Sequence, residues 1–506
     1  MMTSVATIEN QTALEKLSRL LAEDLDFHDQ DSGYASHNFH AFPAKFPPQL
    51  PRKFIQSLTI PGDTVLDPMM GSGTTVLEAF LLGRKAIGFD IDPLAILLTK
   101  TKISSINQHQ AVALGREIVG RAKFAFYRCR SEIESELSVF WDEKTKDFVN
   151  YWFSKDVQIA LKAILNEIEK IDDEELKDFF RLSFSAIIIT KSGGVSLALD
   201  LAHTRPHRVG LAVDWNGNVV CDLKSDDART RRVYSKKIRS PFEEFERRFT
   251  QNLRSFLEMG LSTGQIDMFD LFEENMVRPK PYVSSGDAQN IPLSSSCVDL
   301  IVTSPPYASN AIDYMRAHKF SLVWFGYSID DLAVQRKKYI GSEGTKDVYL
   351  NTLPPNTMEI IERLSSIDRK KGLVLHRYYS EMRNVVAEML RVLKPGGTAV
   401  FVVGNSKIRG QDVKIPECLS EIGESLGFLV PRIGVRQLDR NRRMMPAGIK
   451  IDTESQIQQR MHQEYVIGFY KPIRLEKKVQ NRSFMPAFPV SGRSGVIEVR
   501  TSEQRR

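Results

Sequence analysis

The chain has 506 residues, 42% of them hydrophobic and 26% charged, with a formal net charge of +6. That is enough apolar material for a full core and more than one structural unit, while the charge is too small to mark a nucleic-acid binder by itself. The four cysteines (Cys129, Cys221, Cys297 and Cys418) form no CxxC pair, which argues against a zinc cluster or disulfide framework; with no membrane-length apolar run and no signal-type leader, the expected compartment is the cytoplasm.

Leucines at helical spacing predict an amphipathic helix from about Glu9 to Leu25. The stretch His37 to Ile55 reads as a proline-studded loop that leads into a short helix ending near Leu58. Thr64 to Leu66 then reads as a strand that delivers Asp67 to its end. Gly71 and Gly73 let the backbone turn tightly, and Thr74 is expected to cap a helix running to Leu82. This is the strand, glycine turn and helix of a nucleotide-type site, in which the helix start offers NH donors to an anion. A second strand, Lys85 to Phe89, ends in Asp90, placed where an acidic residue can accept from both hydroxyls of a ribose. The competing reading of Asp90 is a helix cap ahead of Pro93.

From about Ile103 to Lys280 the alternation stops and helical patterns dominate, among them Val157 to Ile171 and Leu176 to Thr190. The aromatic residues Trp141, Tyr151, Trp152 and Phe153 read as core. Ser192 to Arg208, with His203-Thr204-Arg205-Pro206-His207, reads as a loop able to reach a substrate; its two histidines have no third partner for a metal. Two basic clusters, Arg229, Arg231, Arg232, Lys236, Lys237 and Arg239, and later Arg432, Arg436, Arg440, Arg442 and Arg443, are either solvated faces or phosphate contacts.

Strand character resumes at Tyr282 to Ser284, with Asp287 closing that element as either a turn residue or a group reaching a base edge. Val298 to Val302 is a buried strand, and Thr303-Ser304-Pro305-Pro306-Tyr307 sits where it ends. Two prolines cannot continue a ladder, so the chain leaves in a stiff, extended shape with free carbonyls, suited to gripping a flat amino group. Asp313 to Phe325 reads as helix, Ser328 to Leu373 as a long irregular insertion, and His376 to Leu393 as a helix stopped by Pro395-Gly396-Gly397. A strand (Thr398 to Val403), a helix (Ile415 to Leu426) and a last strand (Glu464 to Tyr470) follow, then a basic tail.

DPMMGSGTT, GFDIDP, SGDA, TSPPY, LKPGG and VVGNS, in this order, resemble the amino-methyltransferases that modify the exocyclic amine of a DNA base with S-adenosylmethionine. The resemblance covers about His37 to Lys100 and Tyr282 to Pro472. It implies a doubly wound, Rossmann-like α/β sheet with a large, mostly helical insertion. The expected division is an N-terminal helix (1–36), a cofactor half (37–102), the insertion (103–280), a catalytic half (281–472) with an irregular stretch near 328–373, and the tail (473–506). By resemblance, Phe42, Lys45, Phe46, Asp67, Gly71, Gly73 and Thr74 contact the methionine end of the cofactor, Asp90 the ribose and Asp287 the adenine. Ser304, Pro305, Pro306 and Tyr307 hold a base flipped out of double-stranded DNA. No metal is implied.

In this family Ser before Pro-Pro-Tyr goes with N4 of cytosine, and Asp or Asn with N6 of adenine, so the expectation is cytosine-N4 methylation with adenine-N6 as the alternative. An RNA-base amino-methyltransferase and a non-catalytic nucleic-acid binder are the further readings; the intact set Asp67, Gly71, Asp90 and Ser304 counts against the last. Ring-carbon methylation needs a cysteine nucleophile, typically after proline, and no Pro-Cys dipeptide occurs. Met69 stands where relatives often carry Phe, and the insertion falls outside the usual place of a recognition domain. The setting implied is a restriction-modification system with a cognate endonuclease acting on the same site.

Overall fold

The computed structural model describes residues 12–43, 45–201, 206–222, 234–261, 279–308, 313–342, 349–438 and 463–473. In chain order the strands are β1 (Thr64–Asp67), β2 (Lys85–Asp90), β3 (Leu211–Val213), β4 (Val219–Asp222), β5 (Ser235–Lys237) and β6 (Tyr282–Ser285). They continue as β7 (Val298–Thr303), β8 (Leu393–Gly404), β9 (Lys407–Ile408), β10 (Gln411–Asp412), β11 (Ile433–Gln437) and β12 (Gln463–Tyr470).

Seven of these form the central sheet in the order β11-β12-β8-β7-β1-β2-β6. Strands β6, β2, β1, β7 and β8 run parallel, while β12 is antiparallel to both its neighbours. The chain builds outward from β1 through β2 to β6, then returns to place β7 on the other side of β1. Such a reversal leaves a crevice at the carboxyl ends of the parallel strands, where open α/β sheets take their ligands. Asp67, Asp90 and Thr303 all end strands at this edge.

Alternation along each strand fixes which face is covered by what. Leu300, Val302, Val400 and Val402 join a core with helices Ala13–Leu20, Gln49–Leu58 and Thr74–Leu81. Ile301, Ala399, Phe401 and Val403 point the other way, against helices Arg369–Val392 and Ile415–Leu426. The N-terminal helix sits close on the sheet, since a Cβ on Gly468 would lie 2.5 Å from Leu21.

The insertion is mostly helical, with its own core of fully buried side chains such as Phe153, Phe179, Phe180, Phe184 and Phe245. Trp141 and Phe153 are buried in it and Trp152 packs against it, but Tyr151 is 51% exposed, its ring facing the Arg208 guanidinium at 4.5 Å. The insertion also holds a three-stranded sheet, β4-β3-β5, that the sequence does not announce. Helix Tyr314–Leu322, which follows the Ser-Pro-Pro-Tyr loop, contributes Phe320 to this same core, and Trp141 Nε1 donates to the Val323 carbonyl at 2.8 Å. The helix after the loop is thus anchored in the insertion.

Residues 328–373 depart from the expected irregular stretch. Ser328 and Asp331 form a reciprocal capping box that starts helix Ile329–Lys337. Pro355 occupies the first turn of helix Pro355–Ile367, where its missing N–H costs nothing, and Ile360, Ile361 and Leu364 give that helix its buried stripe. The basic tail from Arg474 onward lies outside the described residues, as do residues 9–11 of the expected N-terminal helix, which begins at Ala13 behind a Thr12–Glu15 capping box. No helix among the described residues is long and apolar enough to cross a membrane.

Candidate active site

The turn between β1 and helix Thr74–Leu81 is shaped by two left-handed glycines, Gly71 (φ 47) and Gly73 (φ 73). Gly73, not Thr74, is the helix N-cap, and Thr74 is the first helical residue, its hydroxyl 3.1 Å from that of Ser72. A Cβ on Gly73 would lie 2.5 Å from Thr99 Oγ1, so this position excludes a side chain. Phe42 closes over the turn: a Cβ on Gly71 would meet its ring at 3.3 Å. The Phe42 ring packs in turn against Tyr314 and His318, at centroid distances of 5.5 and 5.2 Å.

Two carboxylates flank the turn. Asp67 is buried and accepts from the Met69 N–H at 3.2 Å; burial pushes its carboxyl up to about 7. Asp90 accepts from the N–H of Gly71 at 2.8 Å and of Asp92 at 2.9 Å, tying the end of β2 to the glycine turn. Burial and the neighbouring Asp92 charge raise it to about 6. The helix cap ahead of Pro93 is Asp92, which accepts from Leu94 N at 2.8 Å, so Asp90 is free of that duty. Asp92 also receives His318 Nδ1 at 2.6 Å and the Tyr339 hydroxyl at 2.8 Å. Burial opposes its charged form, but these two partners more than offset that and keep it below the usual carboxylate range. Asp287 is an exposed turn residue just past β6, its carboxylate accepting from Gln289 N at 2.9 Å. The preceding Gly286 N–H donates to the Asp90 carbonyl at 3.1 Å.

At the end of β7 the Ser304-Pro305-Pro306-Tyr307 loop lies across the cleft from this turn. The Tyr307 hydroxyl donates to Glu464 Oε1 on β12 at 3.1 Å, and Glu464 Oε2 pairs with Arg436 on β11 at 2.6 Å. Burial first, and the Glu464 charge second, hold the tyrosine hydroxyl well above its ordinary range. The tyrosine ring is thereby oriented by a buried ion pair that no motif around it reveals.

Every site residue inferred from sequence lines one cleft of about 2440 Å³, except Gly73 and Pro305. That is larger than the roughly 300–1,000 Å³ of ordinary small-molecule pockets, leaving room for a second, larger ligand beside a cofactor. The opposite wall comes from the insertion, through Lys191, Lys237, Arg247 and Arg248. Phe46 belongs partly to the core under the sheet, and the Lys45 ammonium donates to the His37 carbonyl at 2.9 Å.

Two residues of the basic clusters are committed elsewhere. Lys236 donates to the Ser196 and Ala198 carbonyls at 2.7 and 2.8 Å, with burial bringing its ammonium down to about 7. Arg436 is 6% exposed and serves Glu464. Neither is available as a phosphate contact. Arg229, Arg231, Arg232, Arg440, Arg442 and Arg443, and the segment His203 to Arg205, lie outside the described residues.

Sequence reading missed Glu464, His318 and Tyr339. Each acts through a partner far away along the chain, and only His318, inside an aromatic-rich helix directly after the Ser-Pro-Pro-Tyr loop, carries a local hint.

Parallel strands ending in acidic residues around a glycine turn define a doubly wound α/β protein built to hold a nucleoside-bearing ligand at its switch point. The profile of the N6/N4 DNA methylase family matches residues 18–101. Along most of its length the chain is similar to the Type II methyltransferase M.MvaI of Kocuria varians, 24% identical over 82% of this chain and 87% of that one. It is also similar to M.BsoBI of Geobacillus stearothermophilus, 21% identical over 78% of each. Among solved structures, TTHA0409 of Thermus thermophilus, complexed with S-adenosyl-L-methionine, overlaps 38% of this chain and 55% of its own at 19% identity, with a TM-score of 0.19, too partial to place a ligand here. The family match and these likenesses support the S-adenosylmethionine-dependent DNA amino-methyltransferase family.

Proposed function

We propose that the protein methylates the exocyclic N4 amine of cytosine at a specific site in double-stranded DNA. The observation that carries this reading is the placement of Ser304, Pro306 and Tyr307 on the same cleft as Asp67, Gly71 and Asp90. The residues present suit the cofactor. Gly71 and Gly73 keep the turn clear of side chains, the raised Asp67 and Asp90 carboxyls have acceptor capacity left for an ammonium and a ribose, and Asp287 stands exposed at the cleft for an adenine edge. Phe42, Lys45, Phe46 and Thr74 complete the methionine end. When bound, the cofactor supplies an electrophilic methyl group on a sulfonium.

The protein's task is to present the amine. Its lone pair is delocalised into the ring, so acceptors at the Ser304 hydroxyl and Pro305 carbonyl that hold the amine hydrogens favour the geometry of direct attack. Transfer then needs no covalent enzyme intermediate. A duplex base must be extruded at a cost of a few kcal/mol, and stacking on Tyr307, about 1–3 kcal/mol, offsets part of it. The choice of cytosine over adenine rests on Ser304. The cytoplasmic setting and a partner endonuclease sharing the site follow from the same reading.

Expression in a host without its own DNA methylation, followed by sequencing of modified bases, tests this. N4-methylcytosine in one sequence context is expected. N6-methyladenine would move the assignment to the alternative amine, and no modified base together with no transfer to DNA by purified protein would refute the reading. Tyr307→Ala is expected to lose transfer but keep cofactor binding by calorimetry. Loss of both would place Tyr307 in the cofactor site instead.

A further inference from the structure

Helix Pro241–Leu261 belongs to the insertion, yet Arg248 on it lines the same cleft as Asp67 and Gly71. Of the other cations of that wall and floor, Lys191 and Lys237 are exposed to solvent, and six more are engaged. Arg239 and Arg247 share Glu244, Lys236 serves two carbonyls, Lys45 serves His37, and Arg316 and Arg336 share Asp313. Arg248 is only half exposed and makes no hydrogen bond or ion pair among the described residues; burial works against its charge. A partly desolvated guanidinium without a partner is costly to keep, and an anion bound in its fork removes that cost.

Its position says which anion. Asn252, four residues on and on the same helical face, donates to the Phe39 carbonyl at 3.4 Å. Arg248 therefore stands one turn along, beside the segment His40 to Phe42, and its charge is among those that act on His40. Phe42 is the ring that covers Gly71. The guanidinium is thus at the glycine-turn end of the cleft. Nearby, Lys45 and the fully buried Lys102, whose ammonium donates to the Ser72 carbonyl at 2.6 Å, add positive charge. The nearby carboxylate Glu78 is already taken by Tyr34, His37 and Arg52.

We propose that Arg248 receives the carboxylate of the cofactor's amino-acid end, so that the insertion completes the cofactor site. This rests on the cofactor reading above. A DNA phosphate offers the same oxygen pair to the guanidinium, and the experiment separates the two.

The probes are S-adenosylhomocysteine, 5′-methylthioadenosine, which keeps the nucleoside and thioether but lacks the amino-acid end, and a duplex oligonucleotide. Calorimetry on the full chain compares wild type, Arg248→Gln and Arg248→Lys. Expected is a loss of S-adenosylhomocysteine affinity on the order of tenfold or more in Arg248→Gln, as for one lost charge-assisted contact. Methylthioadenosine binding should be unchanged and Arg248→Lys should recover part of the loss. Equal weakening of both nucleosides shows a structural role and overturns the proposal. Unchanged S-adenosylhomocysteine binding with weakened duplex binding assigns Arg248 to phosphate and overturns it too. If wild type binds neither nucleoside, the cofactor reading itself fails, which is distinct from a wild type that binds both and a variant that does the same.

Discussion

Replacing Glu464 by alanine probes the support beneath the Ser304 to Tyr307 loop. The carboxylate accepts from Tyr307 at 3.1 Å and pairs with Arg436 at 2.6 Å, and the side chains of the pair are only 13% and 7% exposed. Loss of a charge-assisted hydrogen bond to the tyrosine is worth about 1.5–3 kcal/mol. Among the described residues Arg436 would keep only its contact to the Leu25 carbonyl, at 3.2 Å, and a buried charge stripped of its partner costs about 3–5 kcal/mol. Both effects pass through one carboxylate, so they do not add, and the expected loss is about 3–5 kcal/mol in urea unfolding. Tyr307→Phe removes the hydroxyl alone and leaves the ion pair, so it should cost about 1.5–3 kcal/mol. At a temperature where both variants are folded, Glu464→Ala should lower kcat for methyl transfer with cofactor binding retained, since the carboxylate acts through Tyr307. Unfolding of Glu464→Ala within about 0.5 kcal/mol of Tyr307→Phe would remove the ion pair from the account. Unchanged kcat in the folded variant would show that the ring needs no anchor.

Asp67 and Asp90, raised to about 7 and about 6 by burial, make a pH prediction. Carboxyls that hold their protons more tightly folded than unfolded stabilise the ligand-free protein most below about pH 4, and that contribution is lost as pH rises to about 7. Affinity for S-adenosylhomocysteine, whose ammonium favours ionised Asp67, should rise from about pH 6 to about 7.5 with proton release; binding heats independent of buffer ionisation enthalpy at about pH 6.5 would contradict this. Gly73→Ala combines a left-handed φ of 73 with a Cβ 2.5 Å from Thr99 Oγ1, and should destabilise by about 2 kcal/mol or more. Thr99→Ala should recover part of that loss in the double variant, and a Gly73→Ala protein as stable as wild type would show that the turn has room it does not display.

The order of strands, glycine turn and acidic strand ends is local information, and all of it can be read along the chain. β-branched runs followed by Asp67, Asp90 and Ser304 declare both the parallel sheet and its carboxyl edge, because period and turn chemistry are properties of neighbouring residues. Where local signals were short or ambiguous they misled. Pro354-Pro355 reads as a breaker but begins a helix, and the three-residue strands Leu211–Val213 and Ser235–Lys237 are too brief to show a period.

Tertiary structure alone decided the electrostatics of the site. Tyr307 meets Glu464 from the antiparallel strand β12, His318 meets Asp92 from helix Tyr314–Leu322, and Arg248 lines the same cleft from a helix of the insertion. Arg436, in a basic run that reads as either a solvated face or phosphate contacts, is turned inward because its strand β11 pairs with β12 and sets it opposite Glu464. Sequence can name the residues at a strand end, but the charge that faces them depends on which distant element the sheet order brings alongside. The loop Thr303 to Tyr307 was therefore legible from its own five residues, and the partners that fix its geometry were not.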